Sequence, residues 1–236
     1  MEAIVLAGGL GTRLASRLQG LPKPMAPVAG RPFLEILLAQ LRRCGCTRVL
    51  LSVGHLHSII QDHFGASFDG MTIDYVIEST PLGTGGAIRL ALERTSEESV
   101  LVLNGDTFLD ADYAAMMGFH AECGATVTLA VVHCDDVSRY GGVTIDGQHH
   151  VVGFEEKCCS GPGPKPGWIS AGTYVLARSL AWPAALAERF SIERDFFASE
   201  VARLRPAAFK IEGFFLDIGI PEDYDRAQTK LARFIA

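Results

Sequence analysis

Ala3-Ile-Val-Leu-Ala7 runs straight into Gly8-Gly-Leu-Gly-Thr-Arg13, a short apolar segment that feeds a glycine-rich loop. An apolar run of this length bounded by glycine reads as a buried strand. Outward from it, Pro32 can open a helix. Leu34, Leu37, Leu38 and Leu41 then follow at i, i+3, i+4 and i+7, which puts four leucines on one face, and Gly45 is placed to end the helix. Arg48–Val53 is the next strand-like run, followed by an amphipathic stretch around Ile59, Ile60 and Phe64. Thr72–Ile77 reads as a third strand, Ala87–Leu92 as part of a helix, and Val100–Leu103 as a fourth strand ending at Asn104-Gly-Asp106. A helix through Tyr113–Cys123 and a strand through Ala125–Val132 continue the alternation, with Gly118 read as a packing feature of that helix.

This order predicts an α/β fold. It is Rossmann-like and three-layered, with a mixed, mainly parallel central sheet and helices on both faces. After Arg139 the pattern changes to short β-like segments at Gly142–Ile145, Val151–Glu155, Ile169–Leu176 and Ala208–Ile211. A glycine–proline stretch, Gly161–Gly167, interrupts them as a surface loop. Helical patterns return at Ile192–Leu204 and after Pro221. The expectation is one domain over residues 1–236 with an insertion-like second half, a natural place for a substrate lid.

Composition narrows the function classes. The 236 residues are 48% hydrophobic and 20% charged, which suits a globular chain with a large core and argues against disorder. A formal net charge of −6 argues against nucleic acid or an anionic membrane as the main partner. No run of about 18 apolar residues appears, which argues against a membrane span. The N-terminus reads as a first strand and not as a signal peptide, so a cytoplasmic location is expected. Cys44, Cys46, Cys123, Cys134, Cys158 and Cys159 follow no disulfide-scaffold spacing. Cys44-x-Cys46 and the vicinal Cys158-Cys159 could bind metal or respond to redox state. With no CxxC pair, small, mostly buried, reduced thiols are the better reading. Seven histidines show no metal-ligand spacing, and none is assigned to metal or catalysis.

The loop after the first strand carries chemistry. Glycines let successive N–H groups converge on phosphate oxygens, and Arg13 adds a planar, permanently charged fork suited to phosphate. The loop is neither GxxxxGKS/T nor GxGxxG, and alone it is explained almost as well by a tight strand-to-helix turn. Leu21-Pro-Lys23-Pro-Met-Ala-Pro-Val-Ala-Gly30 shifts the balance. A lysine held between two prolines close to a phosphate loop is better explained as an anion contact than as a solvated turn residue. Asp106 leaves the carboxyl end of a predicted strand, where ligands bind in open α/β sheets. It suits Mg²⁺, a hard cation that prefers carboxylates and substrate phosphates; an Asx turn ending the strand is the plainer alternative. Asp217 closes a second β-like run after Phe214-Phe-Leu. Spacing alone leaves open whether the two carboxylates meet.

Together, GGxGTR at Gly8–Arg13 and PKP at Pro22–Pro24 resemble the signature of the sugar-1-phosphate nucleotidyltransferases, and the resemblance runs from Ile4 to about Gln228. It implies an enzyme that joins a nucleoside triphosphate to a sugar 1-phosphate and releases pyrophosphate. It also implies a nucleotide-binding part over about 1–135 and a small β-rich sugar-binding portion over about 136–236. The implied nucleotide contacts are Leu6, Ala7, Gly8, Gly9, Gly11, Thr12, Arg13, Lys23, Glu78, Pro81, Gly83, Thr84, Gly105 and Asp106. The implied sugar-phosphate contacts are Gly142, Glu156, Lys157, Ser170, Gly172 and Thr173. The family often has Asn where Ser170 stands. In such enzymes the NGD aspartate and the aspartate of a late LDxG segment share the metal, which implies Mg²⁺ on Asp106 and Asp217. The resemblance assigns the chemistry to Arg13, Lys23, Asp106, Lys157 and Asp217. Because all five are present, a non-catalytic regulatory subunit of the same fold is the lesser reading. No left-handed β-helix extension follows, so acetyltransferase activity is not expected. Self-association into a homo-oligomer is implied by analogy only.

Glu78-Ser-Thr-Pro-Leu-Gly-Thr-Gly-Gly86 looks like the loop that reads the base. Guanine offers adjacent N–H and NH₂ donors, which suit an acceptor-only carboxylate, whereas uracil and thymine suit Gln or backbone amides. Glu78 therefore favours GTP if its side chain faces the base, with backbone readout by Gly83 or Thr84 as the alternative. ESTPLGTGGAI and FLDIGIPEDYDRAQ are most similar to the D-glycero-α-D-manno-heptose-1-phosphate guanylyltransferase branch of the family. Mannose-1-phosphate guanylyltransferases and N-acetylmuramate-1-phosphate uridylyltransferases are the nearest alternatives.

Overall fold

The computed structural model describes residues 1–9, 11–18, 20–155 and 163–234. The chain opens with β1 (Glu2–Leu6), α1 (Ala15–Leu18), β2 (Pro27–Val28), β3 (Arg31–Pro32), α2 (Phe33–Arg43) and β4 (Arg48–Val53). It continues through α3 (His57–Phe64), β5 (Ser67–Phe68), β6 (Met71–Ile77), α4 (Gly83–Leu92), β7 (Ser99–Asn104), β8 (Thr107–Leu109), α5 (Tyr113–Glu122) and β9 (Val127–Cys134). The last part holds β10 (Val143–Ile145), β11 (Val151–Phe154), β12 (Gly167–Ala177), α6 (Ala198–Leu204), β13 (Ala207–Ile211), β14 (Phe215–Asp217) and α7 (Pro221–Lys230).

Among the described residues, ten strands form one sheet in the order β11-β10-β12-β7-β1-β4-β6-β5, with β9 joining β12 to β13. The centre is parallel: β7, β1, β4 and β6 all run the same way. β12 then pairs antiparallel with both β7 and β9 and turns the sheet into its antiparallel half. Strands buried on both faces explain the unbroken apolar runs in the sequence. On one face Ala3, Val5, Val49, Leu51, Leu101 and Leu103 pack with Leu34, Leu37, Leu38 and Leu41 of α2. On the other, Ile4, Leu50, Val100 and Val102 pack with Ile88, Ala91 and Leu92 of α4 and with Phe196 and Phe197. The four α2 leucines are fully buried, each contributing about 1.5–3 kcal/mol. Gly45, at φ +83, follows the C-cap Cys44 and ends α2 as anticipated.

The helical segment Ile192–Leu204 is found as expected, π-helical over Ile192–Phe197 and α-helical from there as α6. Other expectations change. Gly83–Gly86, expected in a loop, forms the first turn of α4. Gly118 is not a packing feature: it is exposed, and a Cβ there would meet nothing within 4 Å. The thiols are less buried than expected. Of those described, Cys46 is buried, Cys44 and Cys134 are half-buried and Cys123 is exposed, all of them free. Cys158 and Cys159 lie outside the described residues. Among the described residues no helix is long and apolar enough to cross a membrane.

Candidate functional site

A cleft of about 390 Å³ opens at the carboxyl ends of the parallel strands. Leu6, Gly8, Gly9, Gly11 and Thr12 line it after β1, Glu78 and Pro81 after β6, and Asn104, Gly105 and Asp106 after β7. Gly83, Thr84 and Ala87 at the start of α4, together with Lys23 and Pro24, complete most of the wall. A second recess of about 190 Å³ adjoins it, sharing Gly9, Gly11, Thr12, Lys23 and Asp106 and adding Arg13 and Gly219. Arg13 is exposed and has no hydrogen-bond or ion-pair partner among the described residues, so its charge is free for a ligand.

Local structure aims these groups. Gly11 has φ +61, and a Cβ there would sit 3.1 Å from Lys23 Cβ and 3.2 Å from Leu18 Cδ1. Glycine is needed on both counts. Pro22 leads into a 3₁₀ turn, Lys23–Met25, closed by the Met25 N–H donating to Pro22 O at 2.8 Å. This buries the lysine stem and leaves Nζ to reach Asp106 Oδ2 at 2.5 Å.

The two candidate metal ligands do come together. β14 pairs with β8 so that Asp217 lies opposite Thr107, and the Ile218 N–H donates to Asp106 O at 2.9 Å. Burial first, and the neighbouring Asp106 charge second, push the Asp217 carboxyl above its ordinary value. Lys23, the Gly219 N–H (2.6 Å) and Arg139 oppose that rise. Two half-accessible carboxylates that repel one another and draw in a lysine fit a hard divalent cation. Among the described residues no cluster of three His, Cys, Asp or Glu side chains is gathered to hold a metal. A cation on Asp106 and Asp217 would therefore take further oxygens from water or substrate phosphate.

Glu78 is held in the cleft wall. Its Oε1 accepts from Ser52 Oγ at 3.2 Å and its Oε2 from the Leu82 N–H at 3.0 Å. Each oxygen keeps further lone-pair capacity. Thr84 has a structural duty: its hydroxyl accepts the Ile192 N–H at 3.0 Å, while the Gly85 N–H donates to Phe190 O at 2.9 Å. These bonds dock the segment around Phe190 on α4 and bring exposed Arg189 to the cleft. Sequence reading missed Arg189, Asn104, Pro24 and Ala87. Arg189 follows an unpatterned stretch far along the chain, and only its docking reveals it.

Two expected contacts, Ala7 and Thr173, do not fit. Ala7 is buried and its N–H is already donated to Ser52 O at 2.7 Å, so neither its side chain nor its N–H is free for a nucleotide. Thr173 is 2% exposed and sits opposite Leu103 within the sheet. Gly172 does reach the cleft wall, because a Cβ there would collide with the Asn104 amide. Ser170 accepts the Gly172 N–H at 3.4 Å, where the pairing of β12 with β9 shifts register. Gly142 is not part of the nucleotide-cleft wall, and its carbonyl accepts the Glu155 N–H at 2.8 Å. Glu156 and Lys157 lie outside the described residues.

A profile of the nucleotidyl transferase family matches residues 2–233. The chain is 40% identical over 235 residues to a D-glycero-α-D-manno-heptose 1-phosphate guanylyltransferase of Aneurinibacillus thermoaerophilus, covering 100% of both. It is 41% identical to the protein of the same name from Campylobacter jejuni subsp. jejuni, over 95% of this chain and 97% of that one. The crystal structure of HddC from Yersinia pseudotuberculosis complexed with GMP-PN has a TM-score of 0.82 at 35% identity, covering 98% of this chain and 99% of that chain.

Proposed function

Because this chain belongs to the nucleotidyl transferase family, we propose that it transfers a guanylyl group from GTP to D-glycero-α-D-manno-heptose 1-phosphate, giving GDP-heptose and pyrophosphate. The observation that carries the guanine reading is Glu78, an acceptor-only carboxylate lining the cleft and oriented by Ser52 and Leu82. The names of the relatives support the heptose acceptor.

The nucleophile is a phosphate oxygen of the sugar 1-phosphate, already largely anionic near pH 7 because its second pKa is about 6. It forms a bond to the α-phosphorus of GTP while the bond from that phosphorus to the bridging oxygen breaks, and pyrophosphate leaves with the electron pair. No protein nucleophile is required. Two polyanions must be aligned and their charge neutralised. In this reading the amides of Gly8, Gly9 and Gly11 cradle the nucleotide phosphates, and Arg13 meets the departing pyrophosphate. Lys23 exchanges Asp106 for a phosphate oxygen, and Lys157 holds the attacking phosphate. Asp106 and Asp217 would hold Mg²⁺, which supplies positive charge against the nucleotide phosphates.

Arg13→Ala and Asp106→Asn test these roles. Each removes about 3–4 kcal/mol of barrier lowering, or 10²–10³ in turnover, with an unchanged circular dichroism spectrum. Wild-type turnover in either variant sinks the assignment.

A further inference from the structure

The turn after β9 meets the C-terminal helix at an ion pair whose carboxylate is buried. Val137 is buried in the core, and its carbonyl accepts the N–H groups of Tyr140 (3.0 Å) and Gly141 (2.8 Å), a tight turn that carries Arg139 onto α7. There Arg139 Nη2 pairs with Asp223 Oδ2, and Arg226 takes Asp223 Oδ1 at 2.8 Å. Asp223 is only 3% exposed. A carboxylate this buried is costly unless paired. Arg226 comes from its own helix, whereas Arg139 reaches it from across the chain.

The same guanidinium lies over the Tyr140 ring at 5.0 Å, and that ring meets Phe215 edge-on at 5.5 Å, two residues before Asp217. Just beyond, Gly142, expected to meet the sugar phosphate, accepts the Glu155 N–H at 2.8 Å. α7 is itself tied to the nucleotide side. Its Tyr224 hydroxyl and Gln228 amide donate to Pro27 O at 2.6 and 2.9 Å, and Asp225 pairs with Arg17 at 3.0 Å. One helix thus holds the lysine segment, the helix after the glycine loop and the 137–142 turn.

We propose that Arg139 is a positioning residue: through its ion pair with Asp223 it fixes the 137–142 turn against α7, and so sets the spacing between the sugar-phosphate side of the site and Asp217. Arg139 acts through Asp223 and Tyr140 without touching the reacting atoms. The consequence for turnover rests on the transferase reading above; the anchoring itself does not.

The test uses Arg139→Gln and Arg139→Lys in the full chain. In hydrogen exchange on the free protein, Arg139→Gln lowers protection of the Tyr140 and Gly141 amides at least about tenfold while β1, β4 and β7 keep theirs. In kinetics it raises KM for the heptose 1-phosphate at least about tenfold and leaves the GTP Kd within about twofold, and Arg139→Lys, which keeps the charge, recovers most of the KM. Unchanged exchange at Tyr140 and Gly141 overturns the proposal. So does GTP binding that weakens as much as the sugar-phosphate KM, or a Lys variant no better than Gln. Wild-type protein that turns over no GTP with the heptose phosphate sinks the proposed function instead, and the exchange arm still decides the anchoring.

Discussion

Glu78→Gln changes one atom of the cleft wall on which the guanine reading depends. The local frame survives the change: the Gln carbonyl can still accept the Leu82 N–H, and its NH₂ can donate to Ser52 Oγ, whose hydroxyl rotates to accept. What disappears is the pair of acceptor oxygens for the adjacent N1–H and NH₂ donors of guanine. One of the two positions becomes a donor facing a donor. A hydrogen bond to a charged group contributes about 1.5–3 kcal/mol, so kcat/KM for GTP falls by about 10- to 150-fold. UTP and dTTP, which present an acceptor beside a donor, gain relative to GTP. The assay is pyrophosphate release against GTP, UTP and dTTP at fixed sugar phosphate, with the melting temperature as a check on folding. A GTP kcat/KM within about twofold of wild type in the folded variant would refute base reading by Glu78 and leave backbone amides to do it.

Asp217→Asn is expected to trade activity for stability. The raised Asp217 pKa means the folded chain favours the neutral acid, so its ionised form weakens the metal-free fold as pH rises past the ordinary carboxylate range. The variant therefore melts higher than wild type at pH 7 without metal, yet loses at least about a hundredfold in turnover; a lower melting temperature contradicts this. Glu2 behaves oppositely. Burial pushes its carboxyl up, but the Glu97 and Ser96 N–H groups, Arg48 and the Ser96 hydroxyl outweigh that and hold it at about 2, against an ordinary 4.5. Its stabilisation is present above the ordinary value and is lost as pH falls towards 2. Glu2→Gln thus costs about 2–3 kcal/mol at pH 7 and little near pH 2 in urea titrations; an equal cost at both contradicts it. Gly11→Ala forces a Cβ into left-handed backbone, at about 1–2 kcal/mol, and crowds Lys23. Calorimetry should find weaker GTP binding and a lower melting temperature; unchanged GTP affinity contradicts the loop's role.

The parallel half was legible because its elements are locally determined. Four leucines at helical spacing make α2 wherever they fall, and Val100–Leu103 reads as a strand because both its faces are buried. The first turn of α4 reads as loop in the sequence because Gly83, Thr84, Gly85 and Gly86 are poor helix formers. It is held by tertiary bonds from Phe190 and Ile192, about a hundred residues further on. The same long-range docking hid Arg189. Asp106 and Asp217 could be singled out by type and by position at strand ends, but their meeting depends on the β8–β14 pairing, which no local pattern encodes. Ala7 and Thr173 sit within motif-like stretches and read like their neighbours, but Thr173 faces into the sheet and the Ala7 N–H is already bonded.

The most direct test is pyrophosphate release from the purified chain with Mg²⁺, each of GTP, UTP, dTTP, CTP and ATP, and heptose, mannose and N-acetylmuramate 1-phosphates in turn. Release with GTP and D-glycero-α-D-manno-heptose 1-phosphate, well above every other pairing, is the predicted result. Release led by UTP or dTTP, or by another sugar phosphate, would contradict it.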